Sequence, residues 1–414
     1  MNEFITVKLK DIGRIVTGKT PSSKEPESYG ESYLFITPSD NFENKYIDKT
    51  IRSLSEYGKN VLNGKLLKEN SVLVTCIGSA MGKVALNKFP AVTNQQINSI
   101  EVKEAFSSDY IYYCLKNNYT LFRNAASGST ALPILNKTDF EELPIKIHKN
   151  LKNQQSIAAV LSALDKKIAL NKQINTRLEE MAKTLYDYWF VQFDFPDANG
   201  KPYKSSGGEM VFDETLKREI PKGWEVKSLN QVADIVMGQS PDGASYNLEQ
   251  EGTIFFQGST DFDWRFPNVR QYTTSPTRFA QKGDILLSVR APVGDLNIAP
   301  FECCIGRGLA ALRSKSGNNS FLFYVMKYFK TVFERRNTEG TTFGSITKDD
   351  LHSLKLVAPA DNVLEKYNEI ASKYDEMIFI RSQQNHQLTQ LRDFLLPMLM
   401  NGQISVTCSG ARDG

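Results

Sequence analysis

Residues 7–21 read VKLKDIGRIVTGKTP, and residues 224–241 read WEVKSLNQVADIVMGQSP. Both stretches have an apolar strand pattern that ends in G-x-[ST]-P, beginning at Gly18 in the first and at Gly238 in the second. This ending is typical of a turn, because glycine allows unusual backbone angles and proline fixes the next one. A long internal repeat decides the architecture before any single motif does. The sequence therefore predicts two copies of one module.

The same order of motifs continues downstream of both stretches. NSVLVTCIGSAMGKVAL at 70–86 matches GDILLSVRAPVGDLNIA at 283–299, and each predicts a strand, a turn of small residues and a second short strand. GSTALPILNKTDFEELPI at 128–145 matches GTTFGSITKDDLHSLKL at 340–356, and each predicts a loop, the start of a short helix and an apolar strand. A constant frame with divergent loops is typical of two modules of one fold that read different targets.

The first copy contains GRIVTGKT at 13–20, which fits the phosphate-loop pattern of nucleotide-binding proteins. A working phosphate loop needs a helix directly after it, whereas the chain continues with PSSKEPESYGES, whose prolines predict an irregular turn. The second copy also has Gln239 in place of Lys19 and Ala233 in place of Gly13. We therefore interpret this segment as a loop at the end of a strand.

Each copy ends in a segment whose seam residues alternate in steps of four and three, which is the heptad pattern of a coiled-coil helix. About 35 residues at 1.5 Å per residue give a rod of about 50 Å, longer than a compact module of this size. Asn175 and Asn385 hold equivalent polar positions, which fix register in coiled coils. A surface helix packed on its own module is the alternative. The predicted seam residues are Leu161, Leu164, Ile168, Asn171, Asn175, Leu178, Leu185, Tyr374, Ile378, Asn385, Leu388 and Leu395.

Composition places the chain among globular proteins of about two or three domains, since it has 414 residues, 41% hydrophobic and 23% charged. Its apolar runs are far shorter than the roughly 20 residues that a membrane span needs, and no secretory signal opens the chain. We expect a cytoplasmic protein without membrane association. Five cysteines without a C-x-x-C pair and three scattered histidines predict neither a metal site nor a cofactor.

The pattern divides the chain into six segments. We predict a first module at 1–150, a coiled-coil helix at 151–192, a connector at 193–223, a second module at 224–358, a second coiled-coil helix at 359–402 and a flexible tail at 403–414. The sequence lacks the dinucleotide fingerprint, the G-x-S-x-G elbow, the H-E-x-x-H motif and the N-P-P-[YF] tetrapeptide, so enzymatic catalysis by this chain is not expected.

The divergent loops carry side chains that suit DNA, and a net charge of +3 permits that partner without demanding it. Asparagine and glutamine pair with adenine edges and arginine with guanine edges, whereas serine, threonine and lysine suit phosphates. The candidate DNA-binding residues of the first module are Lys19, Thr20, Ser22, Lys24, Ser39, Asn41, Asn44, Lys45, Ser129, Thr130 and Lys137. Those of the second module are Gln239, Ser240, Gln257, Ser259, Thr260, Arg265, Arg270, Arg290, Thr341, Thr342 and Lys348.

The ordered set of blocks resembles the specificity (S) subunit of type I restriction-modification enzymes. The resemblance covers about residues 5–402 and rests on the two-fold repeat, the G-[KQ]-[ST]-P openings, the paired strand blocks, the GST and GTT loops and the heptad helix after each module. The phrase EIPKGWEVKSL at 219–229 is similar to what many members show at the start of their second module.

The resemblance implies α/β (α+β) modules, namely two target recognition domains in a pseudo-two-fold repeat, separated by two long helices that form an antiparallel coiled coil. Each domain would read one half of a bipartite DNA target, and the helical pair would set the unread spacer. The implied partners are double-stranded DNA, two modification (methyltransferase) subunits that bind S-adenosylmethionine, and restriction (motor-nuclease) subunits that hydrolyse ATP. The chain itself would be a non-catalytic subunit.

Two other functions stay open at this point. One is a coiled-coil scaffold with two protein-binding modules, and the other is a stand-alone DNA nuclease or methylase chain. Within the family interpretation, Arg381 and Arg392 in the second seam leave two options, because they either pack against the first helix or face the modification subunits.

Overall fold

A computed structural model describes residues 3–126, 133–338 and 345–406. The chain forms two compact units, one made of residues 1–172 with 383–414 and the other of residues 173–382. We refer to them as unit 1 and unit 2. Each unit contains one module together with one segment of each long helix.

The first module, in unit 1, is a set of short strands with small helices between them. Its strands are β1 (Phe4–Lys8), β2 (Gly13–Thr17), β3 (Tyr29–Gly30), β4 (Tyr33–Ile36), β5 (Tyr46–Ile47), β6 (Arg52–Leu54), β7 (Val72–Thr75), β8 (Val84–Asn87), β9 (Ala91–Thr93), β10 (Ile97–Val102) and β11 (Pro144–His148). Its helices are α1 (Leu9–Ile12), α2 (Glu56–Val61), α3 (Ser108–Asn117), α4 (Tyr119–Ala125) and α5 (Lys137–Glu142).

Three sheets organise this module. One has the order β2-β10-β7-β8-β5, a second has the order β3-β6-β4-β9, and β1 pairs with β11. Strand β7 is buried along its whole length, as expected for a β-branched run between two layers. The helix α3 covers the sheet with buried aromatic and aliphatic side chains, and it starts at an N-cap, where Ser107 Oγ accepts from the Tyr110 N–H at 3.3 Å.

The long helix α6 (Leu151–Tyr186) follows, continued by a π-helical turn at Asp187–Val191. The connector then forms a hairpin of β12 (Met210–Asp213) and β13 (Arg218–Pro221). Aromatic residues pack the start of the connector. Phe195 stacks on Tyr203 and on Trp224, with ring centroids 4.7 Å and 4.8 Å apart. The connector is therefore a packed part of unit 2.

The second module, in unit 2, repeats the pattern of the first. Its strands are β14 (Glu225–Ser228), β15 (Ala233–Met237), β16 (Tyr246–Asn247), β17 (Thr253–Phe256), β18 (Tyr272–Thr273), β19 (Phe279–Ala280), β20 (Ile285–Ser288), β21 (Leu296–Ile298), β22 (Cys303–Ile305), β23 (Leu309–Ser314) and β24 (Lys355–Ala358). Its helices are α7 (Leu229–Val232), α8 (Asn319–Thr338) and α9 (Lys348–Ser353), and the chain continues as α10 (Asp361–Asn401).

The predicted repeat is confirmed in the strand pairing. The order β15-β23-β20-β21 corresponds to β2-β10-β7-β8, and β14 pairs with β24 as β1 pairs with β11. Both modules also share a parallel pair at the same place, β4 with β9 and β17 with β22, and the first module has a further parallel pair, β5 with β8. The α/β character predicted for the modules is therefore confirmed.

In unit 1, the first part of α6 pairs with the last part of α10. The Asn171 side-chain amide donates to Asn385 Oδ1 at 2.9 Å and to Gln384 Oε1 at 2.8 Å, and the Asn385 amide donates to the Ile168 carbonyl at 3.3 Å. These polar contacts lie among the apolar residues of the seam, where only one register satisfies them. Asn171 itself is almost fully buried.

In unit 2, the last part of α6 pairs with the first part of α10. The Asn175 amide donates to Ser382 Oγ at 3.1 Å, and the Tyr367 hydroxyl donates to the Ala182 carbonyl at 3.4 Å. Numbers fall along α10 as they rise along α6, so the two helices run antiparallel. Of the predicted seam residues, Leu161, Ile168, Asn171, Asn175, Leu178 and Ile378 are buried, and Leu164, Leu185, Tyr374, Asn385, Leu388 and Leu395 are half-buried.

The structure decides between the two options for Arg392. Its Nη1 donates to Asp165 Oδ1 of α6 at 2.9 Å, and both side chains are largely shielded from solvent. Arg392 therefore packs against the first helix, which is the first of the two options. Arg381 is half-buried and donates to the Met377 carbonyl of its own helix at 3.2 Å.

Candidate nucleic-acid interface

The Gly18–Pro21 segment leaves β2 and lies against the turn at 93–97. The Lys19 N–H donates to the Thr93 carbonyl at 2.9 Å, and the Thr20 hydroxyl donates to Gln95 Oε1 at 2.7 Å. No helix starts after Thr20, since the next helical residues are a 3-10 turn at 26–28. A phosphate loop is therefore excluded at this position, as the sequence predicted.

The Gly238–Pro241 segment makes the same backbone contact in the second module, together with a different side-chain contact. The Gln239 N–H donates to the Ile305 carbonyl at 3.1 Å, and Ser240 Oγ accepts from the Arg307 N–H at 3.3 Å. The turn at 305–309 thus corresponds to the turn at 93–97. The frame is equal in the two modules, but the turn carries a glutamine in one and an arginine in the other.

The reason that we gave for the two glycines is wrong. Neither Gly18 nor Gly238 has a positive φ. A Cβ on Gly18 would lie 2.1 Å from the Thr93 carbonyl oxygen, and one on Gly238 would lie 2.2 Å from the Gly306 carbonyl oxygen. The glycines are therefore required because two backbones approach closely, and not because of the backbone angles at the turn.

A second loop emerges beside each of these turns, because β4 and β9 are parallel, and so are β17 and β22. The Asn94 N–H donates to the Ile36 carbonyl at 3.0 Å, and the Gly306 N–H donates to the Phe256 carbonyl at 2.8 Å. Residues 37–44 and 257–264, which we call the recognition loops, therefore start next to the turns at 93–97 and 305–309.

A buried carboxylate organises each recognition loop from inside. Asp40 Oδ2 accepts from the Thr37 N–H at 2.7 Å, and its Oδ1 accepts from the Ile51 N–H at 2.8 Å. In the second module, Asp261 Oδ2 accepts from the Gln257 N–H at 2.8 Å. Because these acids satisfy backbone donors, the neighbouring side chains of the loops remain free to face outward.

The turns that follow β7 and β20 lie beside the turns at 93–97 and 305–309. The Cys76 N–H donates to the Gln96 carbonyl at 2.8 Å, and the Val289 N–H donates to the Gly308 carbonyl at 2.9 Å. Arg290 forms an isolated bridge with Ser345. The predicted residues Ser129, Thr130, Thr341 and Thr342 lie outside the described residues.

Most of the remaining predicted DNA-binding residues have accessible side chains. Lys19, Ser22, Lys24, Ser39, Asn41, Asn44, Lys137, Gln239, Gln257, Thr260, Arg270, Arg290 and Lys348 are exposed, and Thr20, Ser240 and Ser259 are half-buried. Lys137 and Lys348 are the first residues of α5 and of α9. DNA contact by these residues stays a prediction.

Two predicted DNA-binding residues do not face outward. Lys45 is buried and pairs with Asp109, and Arg265 is 2% exposed and pairs with Asp375. Their cationic groups are occupied inside the protein, so their assignment to the DNA interface is wrong. The sequence misled us because both follow recognition-loop residues directly, where an outward orientation was expected.

The sequence reasoning missed Gln95, whose side chain is exposed on the turn at 93–97. Its counterpart Arg307 is also exposed and lies between Gly306 and Gly308. The signal was available, since TNQQI at 93–97 and IGRGL at 305–309 precede equivalent strands, β10 and β23. These two residues differ in the way expected for readers of different bases.

No helix within residues 3–126, 133–338 and 345–406 combines the length and the hydropathy of a bilayer span. No three metal-ligating side chains come together in the same ranges.

Comparison with known proteins gives concordant findings. The family description "Type I restriction modification DNA specificity domain" matches residues 1–180 and 221–390. The type I restriction enzyme MjaIX specificity subunit of Methanocaldococcus jannaschii is 29% identical over 420 residues, covering 96% of this chain and 93% of that protein. A second protein of that organism, assigned as the MjaX specificity subunit, is 36% identical over 307 residues, covering 72% of this chain and 68% of that protein.

A solved structure has the same fold. The crystal structure of the type I restriction-modification system S subunit from M. genitalium aligns with a TM-score of 0.61 at 16% identity, covering 96% of each chain.

Proposed function

Because this chain belongs to the family of type I restriction-modification DNA specificity domains, we propose that it is the sequence-specific DNA-recognition subunit of such a system. Each module reads one half of a bipartite target. The subunit itself carries out no catalysis, and methylation and cleavage belong to partner subunits. We place it in the cytoplasm with those partners.

The observation that carries this proposal is that the two modules have the same backbone frame beside their recognition loops and different polar side chains on it. The Gly18 and Gly238 segments make corresponding backbone hydrogen bonds to the turns that carry Gln95 and Arg307. Glutamine suits adenine and arginine suits guanine in the major groove. One frame with two sets of polar side chains is what two different half-sites require.

The helical pair contributes the spacing between the half-sites in this proposal. The helix α10 has 41 residues. At 1.5 Å per residue this is a rod of about 60 Å, which is long enough to hold recognition modules on the order of one DNA turn apart, about 34 Å. The C-terminal part of α10 also offers exposed apolar side chains to partners, among them Leu391 and Phe394. We assign modification subunits that bind S-adenosylmethionine to that surface.

A methylation map tests the proposal directly. Genomic DNA is sequenced by a long-read method from cells that express this chain with the modification subunit encoded beside it, and from cells that lack this chain. We expect a split motif methylated on adenine in both halves, present only with this chain. No new methylation, or an unsplit motif, would reject the proposal and favour a protein-binding scaffold.

A module exchange tests the division of labour. Residues 224–358 are replaced with the matching part of a relative whose target is known. We expect the methylated motif to change in one half and to keep the other half. A change in both halves would contradict independent reading by the modules.

A further inference from the structure

The first recognition loop is followed by a lysine that points into the protein. Lys45 Nζ pairs with Asp109 of α3 and donates to Ser162 Oγ of α6 at 2.6 Å. The ammonium also lies 4.7 Å from the ring centroid of Tyr113. Two elements of unit 1 therefore hold the end of this loop, namely α3 and the long helix α6.

The second recognition loop is followed by an arginine in the same situation. Arg265 pairs with Asp375 of α10 and lies 3.6 Å from a carboxylate oxygen of Glu179 of α6. Its guanidinium carbon lies 3.7 Å above the ring centroid of Phe323, which belongs to α8. The helices α3 and α8 both follow the strand that pairs with the first strand of the main sheet, so they are equivalent in the repeat.

The two arrangements share their design but use different side chains. A buried cation is costly unless it is paired, so neither residue is an ordinary filler of the core. One module uses lysine with a carboxylate and a hydroxyl, and the other uses arginine with two carboxylates. The sequences of the two loops diverge, yet each places its cation on an aromatic ring and on a long helix.

We propose that Lys45 and Arg265 are positioning residues, which anchor the recognition loops to the long helices and so fix how those loops present their side chains to DNA. The inference rests on the proposed function, because it names the residues that orient the recognition loops toward DNA. It also explains why an exposed loop needs a buried charge at its end. Without the anchor, residues 37–44 or 257–264 would lose one of their two fixed ends.

The aromatic ring beside Lys45 is fixed by hydrogen bonding. Burial, and then the charge of Asp165, raises the pKa of Tyr113 well above its usual range. The phenol therefore stays protonated and donates to Asp165 Oδ2 at 2.5 Å. This carboxylate also pairs with Arg392 of α10, so the ring is tied to both long helices within unit 1.

The test uses the full chain with its modification subunits. Arg265→Met alone would leave Asp375, whose side chain is 22% exposed, without its cation and would destabilise unit 2, so the double variant Arg265→Met/Asp375→Asn removes the pair together. Methylation is measured on duplexes with the mapped target and on duplexes with single base changes in each half-site. We expect selectivity to fall on the order of tenfold in one half-site and to stay unchanged in the other.

Lys45→Met supplies the mirror experiment, because its loss of selectivity should fall on the opposite half-site. The matched control is Arg177→Met/Glu180→Gln, which removes an exposed ion pair of α6 and should change neither half-site. A uniform fall in methylation rate, with selectivity preserved in both half-sites, would show a merely structural role and would overturn the inference.

Hydrogen exchange provides a readout that does not depend on DNA. Amides at 257–264 should exchange faster in Arg265→Met/Asp375→Asn than in the original chain, while amides at 37–44 keep their rates. If the amides at 257–264 exchange at the same rate in the variant as in the original chain, the anchor is overturned, even if methylation mapping fails. Absence of methylation by the original chain, with faster exchange in the variant, would reject the proposed function and keep the anchor.

Discussion

Substitution of Gly18 by alanine tests whether close backbone approach, and not turn geometry, is what this residue supplies. The added Cβ would lie 2.1 Å from the Thr93 carbonyl oxygen and 2.3 Å from the Asn94 carbonyl oxygen. Real Cβ atoms keep more than 3 Å from such atoms, so the segment and the turn must separate by about 1 Å. Backbone atoms on both sides cannot rotate out of the way.

The cost has two parts. Forced overpacking typically costs about 1–3 kcal/mol, and loss of the hydrogen bond from the Gly18 N–H to the Ile97 carbonyl adds about 0.5–1.5 kcal/mol. A total of about 3 kcal/mol corresponds to a fall in Tm of about 6–12 °C for a domain of 150–250 residues. Gly238→Ala should behave alike, because its Cβ would lie 2.2 Å from the Gly306 carbonyl oxygen.

Thermal unfolding followed by calorimetry measures the effect, and hydrogen exchange localises it to β2, β9 and β10. Gly243→Ala is the matched control, since a Cβ there meets nothing within 4 Å and its φ is not positive. We expect that control to keep its Tm within about 2 °C. If Gly18→Ala unfolds at the same temperature as Gly243→Ala, the close-approach explanation is refuted.

Two further outcomes are expected from the helical pair and from the core. Asp165→Asn should destabilise unit 1 by about 3 kcal/mol in chemical denaturation, because it removes the largely shielded carboxylate that pairs with Arg392 and leaves that guanidinium only the more exposed Asp393. Arg177→Ala, at a side chain 79% exposed, should cost at most about 1 kcal/mol. Equal effects would contradict the buried pairing. In a Cys408→Ser background, iodoacetamide should label none of the remaining four cysteines of the folded protein, because all four are buried. Burial also raises the pKa of Cys76, Cys114 and Cys303 to about 12. Labelling of any of the four in the folded protein, detected by mass spectrometry, would contradict that burial.

The repeat and the two long helices could be predicted because both rest on local periodicity and on order along the chain. The strand blocks at 70–86 and 283–299 became β7 with β8 and β20 with β21. The heptad residues Asn171 and Asn175 make the interhelical bonds that their polar character suggested.

Orientation of single side chains could not be predicted in the same way. Arg265 turns inward because its guanidinium pairs with Asp375, and the two residues are 110 positions apart in the chain. A loop sequence such as STDFDWRF contains no local sign of a partner that distant. The glycine of G-x-[ST]-P was located correctly but explained wrongly, since the obstacle is a carbonyl of another strand and no local angle reveals it.

The close approach of Gly306 and Gly308 to the recognition loop has a consequence for protein engineering. A Cβ on Gly308 would lie 2.7 Å from the Gln257 carbonyl oxygen, so the loop and the turn fit together only as a pair. Transplanting residues 257–264 alone would set a foreign loop on a turn shaped for another. New target preferences should therefore be moved between relatives as whole modules, so that each loop stays with the turn glycines that fit it.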